Sequence, residues 1–559
     1  MKSRFSRFFA LFATVFFAAN ANAQTNQVET YAITNARIEI VSGVPIEKGS
    51  IVIRNGLIES VGANVRIPAD ARVIDGSGLT VYPGLIDAAS NIGIAATPVV
   101  PPQRAATLPN PNAVQNQSNS KYPNGLQPET SAADLVRISD ASFETARNNG
   151  ITTALIVPRD GIFLGESALV NLSGDNAPQA IIKNPVAGHI AFRTLTNGAF
   201  PVSLMGTFSA LRQMLLDAQR LQQINRNYAT NQRGVRRPES DKSLEALFPI
   251  LNREMPIVMQ ADAEREIIRA LDLAKEFNLR VIISGGQESS KVINRLKAQN
   301  AAVLLSLNFP KRTTASSPEA EPETLEVLRR RVEIPKTASQ LQLAKIPFAF
   351  QSGGMTNLSD YTVNALKAVE NGLGKADALR AMTTYSANIL GVQNQLGTIE
   401  VGKIANLTVT KGDLFDKSKT FTHVFVDGKM YEIKQTSKPD EKRDGKTPTP
   451  STTSTTPRTA QSLSGTWTVN VAAPNQPTDA TFNLTQEDQK ITGSVQSHLG
   501  NSEITTGSIT ADSFTFTTPV TVGGQTFDVV FTGKLSGNQI SGTATTPQGA
   551  FPFTGTRKP

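Results

Sequence analysis

The sequence predicts a multi-domain α/β protein, and three observations predict it. Short β-like runs separated by turns fill residues 31–81. From about residue 85, apolar strands alternate with amphipathic helices. After a polar linker, residues 462–559 return to short strands of alternating polarity. A chain of 559 residues, 39% hydrophobic and 18% charged, has the apolar material for a large core and the length of roughly two to four domains.

The elements follow in order. Lys2, Arg4 and Arg7 precede an apolar run from Phe8 to Ala19 that closes on Ala21-Asn22-Ala23, which reads as a secretory signal over residues 1–23, cleaved before Gln24. The competing reading, a membrane anchor, needs about 30 Å of apolar helix, which this run does not supply. Export, to the periplasm or beyond, is therefore expected. Tyr31 to Ile40, Gly49 to Arg54, Leu57 to Val61 and Leu79 to Val81, with turns at Asn55-Gly56 and Asp75-Gly76, predict a small antiparallel sheet. Core strands are expected at Thr152 to Val157, Pro256 to Gln260, Arg280 to Ser284, Ala302 to Leu307 and Pro347 to Phe350. Helices are expected from near Ser203, Ala263, Ser289 and Asp360; Ile267, Ala270, Leu271 and Ala274 show the spacing of three and four.

Thr97 to Pro128, rich in Pro, Asn, Gln and Ser, reads as a long exposed excursion, either lid or disordered. Gln435 to Gln461 has the composition of an extended linker. Beyond it, Thr466 to Val471, Ala480 to Leu484, Ser513 to Thr517, Phe527 to Phe531 and Gln539 to Ala544 predict a small antiparallel barrel or sandwich.

Composition excludes several functions. With no cysteine, the chain forms no disulfide, thiol nucleophile or thiolate zinc site. The formal net charge of +8 falls to +5 without the signal's three bases, and the remaining bases are scattered, so no nucleic-acid partner is expected. There is no Gly-x-Ser-x-Gly elbow with a credible histidine, and Gly161 to Gly165 lacks the Gly-Lys-Ser or Gly-Lys-Thr ending of a phosphate loop.

Three motifs carry a family resemblance. Val81-Tyr82-Pro83-Gly84-Leu85-Ile86-Asp87 resembles the strand that opens the barrel of the amidohydrolase superfamily. Leu396 to Leu407 resembles that family's return strand into its small sheet, and His423 to Lys429 its closing hairpin. Gly150-Ile151-Thr152-Thr153 and Gly165 to Val170 are most similar to the imidazolonepropionase or prolidase branch. The resemblance implies a (β/α)8 TIM barrel over residues 85–389, with residues 29–84 and 390–434 forming one composite urease-type β-sandwich, then the linker 435–461 and a C-terminal β-barrel over 462–559. Gly465-Thr466-Trp467 is similar to the start of lipocalin-like barrels, where the tryptophan plugs one end.

Active members of that family hold a metal with imidazoles and a carboxylate at the C-terminal mouth of the barrel. At the positions the resemblance assigns to those ligands stand Ala89, Asn91, Gln260, Gly285 and Gly353. The whole chain has only His189, His423 and His498, of which His189 alone falls in the barrel. No cofactor is therefore expected. The alternative is a divalent metal in an atypical oxygen site built from Asp87, Asn91, Gln260 and Asp262. Asp87, Asp262, Glu288 and His189 are the polar candidates for a pocket; helix capping is the plainer role for Asp262 and Glu288, and a satisfied structural histidine for His189. The reading that follows is a non-hydrolytic relative of enzymes acting on carbon–nitrogen bonds. Its partner is a small-molecule ligand or a protein such as an active paralogous subunit, and an active amidohydrolase with an atypical metal arrangement is the alternative.

Overall fold

The computed structural model describes residues 30–95, 122, 125–138, 140–173, 177–195, 200–312, 323–433, 462–471, 478–487, 490–497, 500–510, 513–522, 525–546 and 549–558. The expected signal, most of the Thr97 to Pro128 excursion, the linker Gln435 to Gln461 and His498 lie outside the described residues. The chain divides into two units, residues 1–438 and 439–559.

In the first unit, one eight-stranded sheet takes strands from both ends of the segment. Its order is Lys429–Glu432, Thr420–Val426, Leu407–Lys411, Leu79–Pro83, Tyr31–Ile38, Ile46–Arg54 and Leu57–Gly62, with Arg72–Asp75 also on Tyr31–Ile38. Asn55-Gly56 and Asp427-Gly428 turn two of its hairpins with positive φ at both residues, the geometry that matches strand twist. The expected all-antiparallel pattern is corrected here. Tyr31–Ile38 pairs in parallel with both Arg72–Asp75 and Leu79–Pro83, because the chain between them crosses back instead of making a hairpin. Ile33, Ile51, Ile53, Val81, Leu407 and Phe425 form this sheet's buried side.

Two arcs of strands make the barrel. One carries Leu85–Ser90 and Ile151–Ile156; the other runs Gly188–Ala191, Ile257–Ala261, Val281–Gly285, Ala302–Ser306 and Phe348–Gln351, all parallel. The third strand, Phe163–Glu166 continuing as Ala168–Asn171, joins the arcs and runs antiparallel to both neighbours. The cause is local: only residues 157–162 separate it from Ile156, too few for the crossover that a parallel neighbour needs. Along the later strands residues alternate. Val258, Ile282, Leu304 and Ala349 belong to the inner cluster, while Ile257, Met259, Ile283, Val303 and Phe348 belong to the outer core. Helix Glu264–Glu276 packs there through Ile267, Ala270, Leu271 and Ala274, as its spacing predicts.

Leu85–Ser90 and Phe348–Gln351 close the barrel through side chains. The Tyr361 hydroxyl lies 3.1 Å from the Ile86 carbonyl oxygen and 3.2 Å from that of Phe350. Asp87 and Ser352 make the second stitch. A third buried network ties the barrel to the composite sheet: Asn406 Nδ2 donates to Thr153 Oγ1 at 3.0 Å and to Asn171 Oδ1 at 2.7 Å, and Asn406 Oδ1 accepts from the Asp427 amide at 2.8 Å.

The second unit is a closed eight-stranded antiparallel barrel, sealed where Thr478–Glu487 pairs with Lys490–Ser497, with Gly500–Glu503 as an extra edge strand. Phe482, Phe514, Phe516, Phe531 and Phe553 fill it. Trp467 is fully buried, donates from Nε1 to the Leu463 carbonyl at 3.0 Å and lies under the Arg557 guanidinium, 4.6 Å from ring centroid to Cζ. Among the described residues no helix is long and apolar enough to cross a membrane.

Candidate functional site

The C-terminal mouth of the barrel is where this architecture places chemistry, because the loops that follow the parallel strands converge there. Asp87, on the first strand, is completely buried. Its Oδ1 accepts from the Ser352 amide at 2.9 Å and the Ala89 amide at 3.4 Å, and its Oδ2 accepts from the Ser352 hydroxyl. Burial pushes its carboxyl up to about 6, against the lowering effect of those donors.

His189 is also buried, with the barrel-facing parity of its strand. Its Nε2 has no hydrogen-bond partner, and burial holds the imidazole down at about 3, so it is neutral at physiological pH. The expected satisfied histidine is thus corrected: the buried His189 Nε2 finds no hydrogen-bond partner among the described residues.

Above this layer, side chains bond to one another and to backbone carbonyls across the mouth. Asn91 Nδ2 donates to the Val157 carbonyl at 2.7 Å, and the Asn91 carbonyl accepts from Arg159 at 3.4 Å. Arg193 donates to Gln260 Oε1 at 3.2 Å and to the Arg159 carbonyl at 3.1 Å. Gln351 donates to Ser284 Oγ and to the Leu304 carbonyl, each at 2.9 Å, so it spans three strands. Sequence reasoning missed Arg159, Arg193, Gln351 and Ser352 as site residues. The available signal was position, since each stands at or just beyond the C-terminal end of a barrel strand.

Gly285 has φ +97°, and a Cβ there would stand 2.5 Å from Asp262 Oδ1; a Cβ on Gly353 would collide with Gln351 Oε1. Neither glycine leaves space for a longer side chain in this arrangement. Ala89 is buried. Asp262 sits at the rim, where burial and the neighbouring Glu266 raise its carboxyl above the ordinary range. The Glu266 carboxylate accepts from the amides of Asp262 and Ala263, which starts the helix Glu264–Glu276. Glu288 accepts from the Glu264 amide at 2.9 Å at that same helix start, as capping predicts.

The sequence-named residues therefore fall into separate groups. Asp262 and Glu288 stand together, with the Glu288 amide donating to the Asp262 carbonyl at 2.9 Å. Asp87 belongs to the seam, His189 to the interior, and Asn91 and Gln260 to the arginine-linked net. Among the described residues no three His, Cys, Asp or Glu side chains stand together as a metal site.

Residues 328–431 match the model of the amidohydrolase family. The barrel and its composite sheet share the fold of solved amidohydrolases. An amidohydrolase from Thermotoga maritima MSB8 superposes with a TM-score of 0.59 at 24% identity, over 72% of this chain and 100% of that one. A Xaa-Pro dipeptidase crystallised with bound methionine gives 0.42 at 18% identity, over 72% and 100% of the two chains. A putative prolidase from Bifidobacterium longum gives 0.43 at 17%, over 72% and 95%. No curated protein matches the chain.

Proposed function

We propose that this protein is an exported, non-hydrolytic relative of the amidohydrolases that acts by binding a small molecule or a partner protein. One observation carries the reading. Beside two of the positions where the family resemblance expects metal ligands stands an arginine guanidinium: Arg193 donates to the Gln260 side chain, and Arg159 donates to the Asn91 backbone carbonyl. A divalent cation placed there would meet two nearby positive charges, and among the described residues no cluster of carboxylates compensates them. Gly285 and Gly353 supply no donor atom, and Asp87 has three donors aimed at it from Ser352 and Ala89. The residues present do not fit the family's metal.

The test is the metal content of the purified mature protein by mass spectrometry, paired with hydrolysis assays on dipeptide, cyclic amide and imidazolone substrates with and without added divalent metals. The reading expects substoichiometric metal and no turnover. Stoichiometric metal with chelator-sensitive turnover overturns it in favour of an active hydrolase with an atypical metal arrangement. Export rests on the N-terminal composition of the chain, and N-terminal sequencing of the mature protein beginning at Gln24 is its test.

A further inference from the structure

Beside the barrel axis, on the same C-terminal face, a cleft of about 410 Å³ opens between the segment that follows the sixth strand and the helix Leu325–Glu333 that follows the seventh. This is within the size range of small-molecule sites. Its charged lining balances: Lys291, Arg329 and Arg330 against Glu288, Glu326 and Glu333.

Only one of the carboxylates is engaged. Glu288 is nearly buried and fixed by the Glu264 amide, with Lys291 Nζ at 3.2 Å and Arg330 Nε at 3.6 Å. Arg330 Nε is buried at the cleft wall without a hydrogen bond. Glu326, Arg329, Arg330 and Glu333 lie three and four residues apart on one helical face, the spacing that closes ion pairs along a helix. Among the described residues none of those intrahelical pairs closes within 4.0 Å, and Glu326, Arg329 and Glu333 have no ion partner. Glu326, Arg329 and Glu333 are exposed and hydrated in the free chain, and a ligand carrying both signs would exchange that water for ion pairs with both. A single anion would satisfy the arginines and meet repulsion from two carboxylates; a single cation would meet the reverse.

We infer that this cleft is a binding site for a small zwitterion, with its oxyanion end on Arg329 and Arg330 and its ammonium end on Glu326 and Glu333. The inference deepens the ligand-binding reading above and rests on it for the role of binding. It does not use the barrel mouth, so the two fail separately: metal and turnover sink the first, and the titration below sinks the second.

The experiment is isothermal titration of the full mature chain with glycine, β-alanine and γ-aminobutyrate, a length series, and with butyrate and butylamine as single-charge controls. At least one zwitterion is expected to saturate at millimolar concentration or below, with both controls at least about tenfold weaker, a difference of about 1.4 kcal/mol. Arg330→Gln and Glu333→Gln should each weaken the zwitterion about tenfold, while Arg226→Gln on a remote exposed helix changes nothing. Glu333 is exposed and has no partner to lose, so that variant keeps the test valid if Arg330→Gln disturbs Glu288. Controls that bind as tightly as the zwitterion, variants that bind like the parent, or no saturation by any member of the series overturns the assignment.

Discussion

Asp87 and His189 are buried in the same barrel with opposite acid–base consequences, and Asp87→Asn separates them. The Asp87 carboxyl is raised to about 6 in the folded chain, whereas an unfolded aspartate titrates near 3.9. Between roughly pH 4 and 6 the folded form keeps a proton that the unfolded form has released. Asp87 therefore lowers stability as pH rises through that window, by about 3 kcal/mol in all. His189 is held down at about 3 against about 6.5 unfolded. There the unfolded form takes the proton, and stability is lost as pH falls. Across the shared window the two contributions oppose each other and nearly cancel in slope. Asparagine mimics the neutral acid: its oxygen accepts from the Ser352 amide and its amide donates to the Ser352 hydroxyl. Asp87→Asn should match the parent at pH 4 to within about 1 kcal/mol and exceed it by up to about 3 kcal/mol at pH 7.5. The assay is urea denaturation at a series of pH values, followed by helical circular dichroism, because among the described residues only the first unit contains helix. A variant that is less stable than the parent at pH 7.5, or whose difference from it does not change with pH, refutes the argument.

Four further outcomes are expected. His189→Leu should flatten the acid limb, losing less stability than the parent between pH 6.5 and 4, by about 3 kcal/mol in the same denaturation series. Tyr361→Phe removes the hydroxyl shared by the Ile86 and Phe350 carbonyls and should cost about 1–3 kcal/mol for the orphaned acceptors, with faster hydrogen exchange in Leu85–Ser90 as the local signature. Asn406→Ala leaves the Asp427 amide and the Asn171 carboxamide short of partners and should cost about 2–4 kcal/mol, read by helical circular dichroism of the first unit. Phe482→Ala, in the aromatic core of the second unit, should cost about 3–5 kcal/mol. Trp467 is the chain's single tryptophan, so its fluorescence reports that unit's unfolding while the helical signal stays unchanged.

What the sequence made legible was whatever is written locally. Asn55-Gly56 marks one hairpin and Asp427-Gly428 another, and the apolar runs expected as strands at Pro256 to Gln260 and Arg280 to Ser284 fall within a residue of the barrel strands Ile257–Ala261 and Val281–Gly285. Trp467 could be assigned to the plug because Gly465-Thr466-Trp467 resembles the start of lipocalin-like barrels. The antiparallel third strand was illegible, since Gly165 to Val170 reads equally well in either direction and only the shortness of the preceding turn decides. The site was harder still. Ser352 lies 265 residues from Asp87, and Arg193 lies 67 from Gln260, so neither contact leaves a spacing to be read. The absence of histidine and aspartate donors was visible as residue types, but the arginine that holds the Gln260 carboxamide was not.

That pairing bears on whether any metal could be recruited. Asp87 is the one buried carboxylate at the seam, and it accepts from two backbone amides and one hydroxyl while bridging strands that share no backbone ladder among the described residues. To ligate a cation it would have to surrender the Ser352 contacts, and the seam would then rest on Tyr361 alone. Ligation and barrel closure thus compete for the same oxygen atoms. A cation bound at Asp87 would also favour the ionised carboxylate and pull its titration well below 6. The stability difference between the parent and Asp87→Asn would then shrink at pH 7.5 when divalent metal is added. If the difference is the same with and without metal, the carboxylate is committed to the seam and holds no cation.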